Sequence, residues 1–231
     1  MRIQILPSLL ASDFGKLAAE AQRAEAAGAD ALHLDIMDGH FVPNLSMGPD
    51  VVAMAREAVD MPLSVHLMLT NPDAFVARFA EVGASSLLIH IEADCDVPAT
   101  LERIRELGVR PGITLKPATL AKDIFPVLDK VDEVLCMTVE PGYGGQEFMA
   151  DMLPKIRRVR DEAAAGGKPD LDILVDGGIG PETAARCAAA GANAFVAGTS
   201  LYRADDMAEE VARLRKAAED AFQGASGQSS A

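Results

Sequence analysis

Ala31-Leu32-His33-Leu34-Asp35-Ile36-Met37 is a short apolar run interrupted by an imidazole and a carboxylate at positions i and i+2. On a strand that spacing points both side chains to one face. Burying an uncompensated charge is costly, so a cation or a reacting proton is expected at that face.

The surrounding sequence repeats the pattern of an apolar β-type run followed by an Ala-rich, charged segment of helical period, from the first residues to about residue 200. Strands are predicted near 3–7, 31–37, 63–67, 86–91, 110–115, 132–137, 171–175 and 193–197. Helices fit at about 13–27, 49–58, 72–81, 97–107, 120–127, 151–165, 181–189 and 205–222. Several begin with capping chemistry, as at Ser12-Asp13, Asn71-Pro72 and Gly180-Pro181-Glu182, and several end at glycine, as at Gly28, Gly83, Gly108 and Gly191. Eight such units point to an α/β fold, a single (β/α)8 TIM barrel over residues 1–223, with a doubly wound open sheet as the alternative. Polar residues end many strands, at Ser8, His33 with Asp35, His66, His90, Lys116, Asp176 and Thr199. Sites spread round a ring favour closure, whereas an open sheet gathers them at one switch point. The tail from Gly224 to Ala231 is expected to be disordered.

Of 231 residues 49% are hydrophobic, enough for a substantial core. The formal net charge of -14 argues against nucleic acid and anionic membrane surfaces as partners, since long-range steering would be repulsive. A small anionic ligand must then be captured by local donors. The N-terminus lacks a signal-peptide pattern and no apolar run approaches ~20 residues, so a cytoplasmic protein is expected. Cys95, Cys136 and Cys187 form neither an even framework nor a CxxC pair and are read as buried or incidental thiols of a reducing compartment. Assembly as a homo-oligomer is also expected.

Strand ends deliver His33 and Asp35, then His66, then Asp176 to one mouth of a barrel. This mixed N/O set suits one divalent cation, Zn²⁺, Fe²⁺, Mn²⁺ or Co²⁺, and leaves positions for substrate oxygens. Asp35 and Asp176 come from different sides of the ring, so they are candidate catalytic acids that take a proton from one face of a carbon acid and return it to the other. Met37, Met68 and Met137 fall where they can line the mouth with uncharged surface. His40 lies in a loop and receives no role, and His90, followed by Glu92, is either a supporting or a structural histidine. Gly-rich turns follow the last three strands, at Gly142-Tyr143-Gly144-Gly145-Gln146, Gly177-Gly178-Ile179-Gly180 and Gly198-Thr199-Ser200. None contains Lys or Arg, so a phosphate held there would rest on backbone N–H groups and helix dipoles.

The sequence resembles the ribulose-phosphate 3-epimerase family over about residues 3–203. The resemblance is carried by Ser8-Leu9-Leu10-Ala11-Ser12-Asp13-Phe14, His33 through Asn44, His66-Leu67-Met68, Met137 through Gln146 and Asp176-Gly177-Gly178. It implies interconversion of D-ribulose 5-phosphate and D-xylulose 5-phosphate in the pentose phosphate pathway. It further implies a divalent metal on His33, Asp35, His66 and Asp176, with Asp35 as proton acceptor and Asp176 as donor in one direction. Ser8 and His66 would contact the sugar, and Gly142, Tyr143, Gly144, Gly145, Gly177, Gly178, Gly198 and Thr199 would line the phosphate site. Many members have Ser at Thr199, which keeps a hydroxyl, and members vary between Asn and Lys at Lys116. A 3-epimerase of a hexulose 6-phosphate such as allulose 6-phosphate stays open on the same residues. A barrel decarboxylase or Schiff-base aldolase would need a lysine at the centre, for which only Lys116 and Lys122 lie near strand ends.

Overall fold

Eight strands form on the apolar runs: β1 (Gln4–Pro7), β2 (Leu32–Met37), β3 (Leu63–Met68), β4 (Ser86–His90), β5 (Arg110–Leu115), β6 (Glu133–Met137), β7 (Asp172–Asp176) and β8 (Ala194–Ala197). In the computed structural model, which describes residues 1–228, all are parallel, in the order β1-β8-β7-β6-β5-β4-β3-β2. The helices are α1 (Leu17–Ala26), α2 (Pro49–Ala58), α3 (Val76–Glu81), α4 (Val97–Glu106), α5 (Leu153–Ala165), α6 (Pro181–Ala189), α7 (Thr199–Tyr202) and α8 (Met207–Gln228). This is a nearly closed (β/α)8 barrel, not an open doubly wound sheet. Among the described residues, no helix is long and apolar enough to cross a membrane.

Strand alternation divides the apolar residues into two layers. Leu34, Val65, Ile89, Ile113, Val134 and Val175 point outward into the layer shared with the helices. Leu6, Leu88, Leu135, Leu174 and Val196 point inward and form a smaller cluster. Each fully buried aliphatic side chain contributes roughly 1.5–3 kcal/mol relative to exposure, so the outer layer dominates stability and frees inward positions for polar residues.

The helical segments depart from expectation in several places. Residues 14–16 form a 3₁₀ turn ahead of α1, with the Asp13 carboxylate accepting from Gly15 N–H. The segment predicted as a helix over 120–127 is a 3₁₀ helix, Ala121–Lys130, because Pro126 lies inside it and lacks the N–H that α-helical bonding requires. The short helix α7 directly after β8 has no counterpart in the expected pattern. Finally, α8 runs on to Gln228, so residues 224–228 of the tail expected to be disordered are helical, and 229–231 lie outside the described residues. Extending an existing helix needs no new nucleus, which offsets the poor helix propensity of Gly224 and Gly227.

The ring closes between β1 and β2 with few contacts. Among the described residues the two strands share one bridge, Ser8 with His33. At the opposite end Asp30 substitutes for a ladder: its N–H donates to Ile5 O at 2.9 Å and its carboxylate accepts from Ile5 N–H at 2.8 Å. Arg2 and Arg215 pair with the same carboxylate, whose side chain is 5% exposed. Asp30→Ala leaves the buried Ile5 N–H without an acceptor, and the expected loss is about 2 kcal/mol. Urea unfolding reads it as a lower midpoint at unchanged slope, and a loss under about 0.5 kcal/mol would show that the seam does not depend on Asp30.

Candidate active site

The register of β2 against β3 pairs Asp35 with His66 and His33 with Ser64, which sets the inward residues of both strands side by side. Asp176 ends β7, paired with Met137 of β6 and Val196 of β8. One ligand atom from each of His33, Asp35, His66 and Asp176 lies within 4.8 Å of every other. Asp35 Oδ1 is 3.4 Å from His33 Nε2 and 3.2 Å from His66 Nδ1, and Oδ2 accepts a 2.5 Å bond from Ser8 Oγ. His33 Nδ1 lies 3.2 Å from Ser64 Oγ, while its buried Nε2 has no hydrogen-bond partner. An unpartnered buried nitrogen costs about 1–3 kcal/mol, and a cation among these four groups would remove that cost. Donor types and spacing fit one divalent cation.

The two carboxyl groups are displaced in opposite directions. Burial alone would raise Asp35, but the His33 and His66 imidazoles outweigh it and hold the carboxyl well below the usual range. Burial and the neighbouring Asp35 charge push Asp176 up to about 7. Burial opposes protonation of His33, yet the Asp35 charge raises it on balance, whereas burial lowers His66. One acid is thus set up as a carboxylate and the other as a proton carrier.

His66 is supported from behind. Its Nε2 lies 2.8 Å from His90 Nε2, and His90 Nδ1 lies 3.0 Å from Glu92 Oε2. Burial pushes His90 down to about 4. Burial would raise Glu92, but bonds from His90, Thr119 and the Lys116 N–H bring it to about 2. His40 is exposed and turned back on the Asp38 carbonyl, outside the cluster.

A cavity of about 370 Å³ opens against Asp35 and Asp176. Ser8, Met37, Met68 and Met137 form its wall, and Gly142, Tyr143, Gly144, Gly145, Gly177, Gly178, Gly198 and Thr199 line it on the three turns. Leu10 and Ala11, which carried no expected site role, also line it, as do Ile179 and Ser200 of the glycine turns. Leu10 and Ala11 enter through a 3₁₀ turn after β1, and Ser200 Oγ ties the last turn to Ile179 O at 2.7 Å. His33 and His66 are fully buried and lie outside the cavity wall. No lysine lines the cavity. Lys116 Nζ instead sits 3.7 Å from the centre of the Phe41 ring, which leaves the Schiff-base alternative without a nucleophile. Cys136 and Cys187 are buried free thiols and Cys95 is half-buried.

Backbone shape at the turn after β7 requires glycine. Gly177 has φ +120°, and a Cβ there would come 2.8 Å from Val139 N; Gly178 has φ +64°, and its Cβ would come 2.7 Å from Phe148 N. The turns after β6 and β7 are therefore in direct backbone contact, fixed also by Thr138 Oγ1 donating to Asp176 O at 2.9 Å and Gly177 O at 2.7 Å. Across the mouth, Asn44 Nδ2 donates to Gly142 O at 2.7 Å and the Tyr143 hydroxyl to Pro43 O at 2.6 Å. The first turns of α6 and α7 begin directly after the glycines, leaving backbone N–H groups without intrahelical partners at that end.

Residues 4–202 match the profile of the ribulose-phosphate 3 epimerase family. The chain is 45% identical to ribulose-phosphate 3-epimerase of Bacillus subtilis (strain 168) over 213 residues, 92% of this chain and 98% of the relative. It is 46% identical to the cytoplasmic isoform of ribulose-phosphate 3-epimerase of Oryza sativa subsp. japonica over 220 residues, 94% of each chain. The crystal structure of 3-keto-L-gulonate-6-phosphate decarboxylase from Vibrio cholerae superposes with a TM-score of 0.73 at 17% identity, covering 95% of this chain and 99% of that one, a likeness of fold. With its described cluster, cavity and near-complete coverage by these relatives, the chain belongs to the ribulose-phosphate 3-epimerase family.

Proposed function

We propose that the barrel, over residues 1–223, interconverts D-ribulose 5-phosphate and D-xylulose 5-phosphate by moving a proton at C3. The observation that carries this reading is the pair of carboxyl groups, Asp35 from β2 and Asp176 from β7, bordering one cavity with opposite protonation tendencies. In one direction the Asp35 carboxylate takes the C3 proton from one face, and the Asp176 carboxylic acid gives its proton to the other face. In reverse the two exchange roles. The Ser8 hydroxyl, bonded to Asp35 Oδ2, orients the base. Met37, Met68 and Met137 place polarizable, uncharged surface around the reacting carbon and keep water from protonating it.

His33, Asp35, His66 and Asp176 would hold the divalent cation, one of Zn²⁺, Fe²⁺, Mn²⁺ or Co²⁺. When bound, it supplies positive charge that offsets negative charge developing on the substrate oxygens. The substrate phosphate is assigned to the turns after β6, β7 and β8, where backbone N–H groups provide the donors and no cationic side chain is needed. A cytoplasmic location is supported by three unpaired cysteines and by the rice relative's name. Assembly into a homo-oligomer is part of the same reading.

Chelator-stripped protein should lose epimerisation and regain it on reconstitution with one of the four cations, assayed with both D-ribulose 5-phosphate and D-allulose 6-phosphate. Preference for the hexulose phosphate would transfer the assignment to that substrate, and full activity without any cation would remove the metal from it. Asp176→Asn, checked for metal content, should lower turnover by roughly 10²–10⁴ while Asp35 still exchanges the C3 proton of one epimer with solvent. Near-normal turnover by this variant would sink the two-acid mechanism.

A further inference from the structure

Outside the cavity wall lies a row of buried and half-buried side chains that the proton transfer does not use. His66 Nε2 is 2.8 Å from His90 Nε2, and His90 Nδ1 is 3.0 Å from Glu92 Oε2. Glu92 Oε1 accepts the Lys116 backbone N–H at 2.8 Å and the Thr119 hydroxyl. His90 is fully buried, with the Phe41 ring 4.6 Å from its own and the Lys116 ammonium against that same Phe41.

Donor and acceptor chemistry fixes the protons along this row. A carboxylate with two donors on one oxygen is held ionised and can only accept at the other, so His90 carries its proton on Nδ1. A second proton on His90 would add positive charge beside the Lys116 ammonium, so its Nε2 is bare. The hydrogen between two ring nitrogens 2.8 Å apart then belongs to His66 Nε2. His66 Nδ1 is left unprotonated, 3.2 Å from Asp35 Oδ1. Two acceptors at that distance repel unless a cation lies between them.

We propose that Glu92 and His90 form a positioning relay that holds His66 as its Nε2–H tautomer, so that Nδ1 is the nitrogen offered to the divalent cation shared with Asp35. This deepens the metal assignment made above and is independent of which sugar phosphate reacts. Residues behind a metal-binding histidine commonly set its tautomer in this way, and removing them weakens metal binding about 10–100-fold. Glu92→Gln is the near-isosteric test. Its amide oxygen can still accept from Lys116 and Thr119, which turns the NH₂ group toward His90 and reverses every donor in the row. The reversed row puts a proton on His66 Nδ1.

Two measurements decide it on the full-length chain. In long-range ¹H–¹⁵N correlation spectra of the zinc-loaded wild type, His66 should carry its proton on Nε2 and bind zinc through Nδ1; coordination through Nε2, or no coordination, overturns the proposal. Competition with a chromogenic chelator should show Glu92→Gln binding zinc about 10–100-fold more weakly than wild type, and a loss smaller than about threefold also overturns it. Should that variant not fold, the wild-type spectrum decides alone. A wild-type protein that binds zinc through Nδ1 yet turns over no sugar phosphate would defeat the proposed reaction and leave the relay standing.

Discussion

The carboxylate of Asp35, 4% exposed at its side chain, is the constraint around which the site is arranged. Withdrawing such a charge from water costs several kcal/mol, and the compensation must come from groups already in place. Ser8, just past β1, donates to one oxygen, His33 lies 3.4 Å from the other on the same strand, and a cation shared with His66 of β3 would balance the rest. The same charge acts on Asp176, raising its affinity for a proton. A single buried anion thereby gives two chemically identical side chains opposite protonation tendencies.

The end of the cavity proposed for the phosphate has a different balance of charge. A chain with a net charge of -14 lines much of the cavity with glycine turns and none of it with lysine or arginine. Backbone N–H groups carry partial positive charge that neither titrates nor swings away, but they serve only if the main chain is held in an unusual path. Gly177 and Gly178 provide that path, and their contact with Val139 and Phe148 fixes it. Polarity at one end and rigidity at the other are thus met by different residue types on the same barrel rim.

Much of this was readable before any coordinates. The eight strands announce themselves because each is a short apolar run bounded by turn residues, and His33 with Asp35 stands out because ionisable groups in such a run need a reason. His66 and Asp176 are legible on the same ground, and the resemblance to a family named the rest of the set. What sequence did not convey depends on contacts far apart in the chain. The His66, His90 and Glu92 row acquires meaning only when β3 and β4 lie side by side, and Glu92 meets Lys116 and Thr119 across 24 and 27 residues. Asp30 looks like an ordinary turn aspartate until Ile5 is placed beside it. The 3₁₀ segment at Ala121–Lys130 was within reach, since Pro126 marks it, whereas α7 is too short to show a period.

The thin seam between β1 and β2 also bears on solubility. A parallel sheet with apolar residues on both faces has no protected way to end: its outer strands would expose unpaired N–H and C=O groups beside aliphatic side chains, a template for pairing with other chains. Here the bridge from Ser8 to His33 and the bonds of Asp30 to Ile5 join the two edges and leave neither available. Seen from the cell's side, the few bonds that complete the ring guard against aggregation, and at one of those points His33 also belongs to the His/Asp cluster while Ser8 bonds its Asp35.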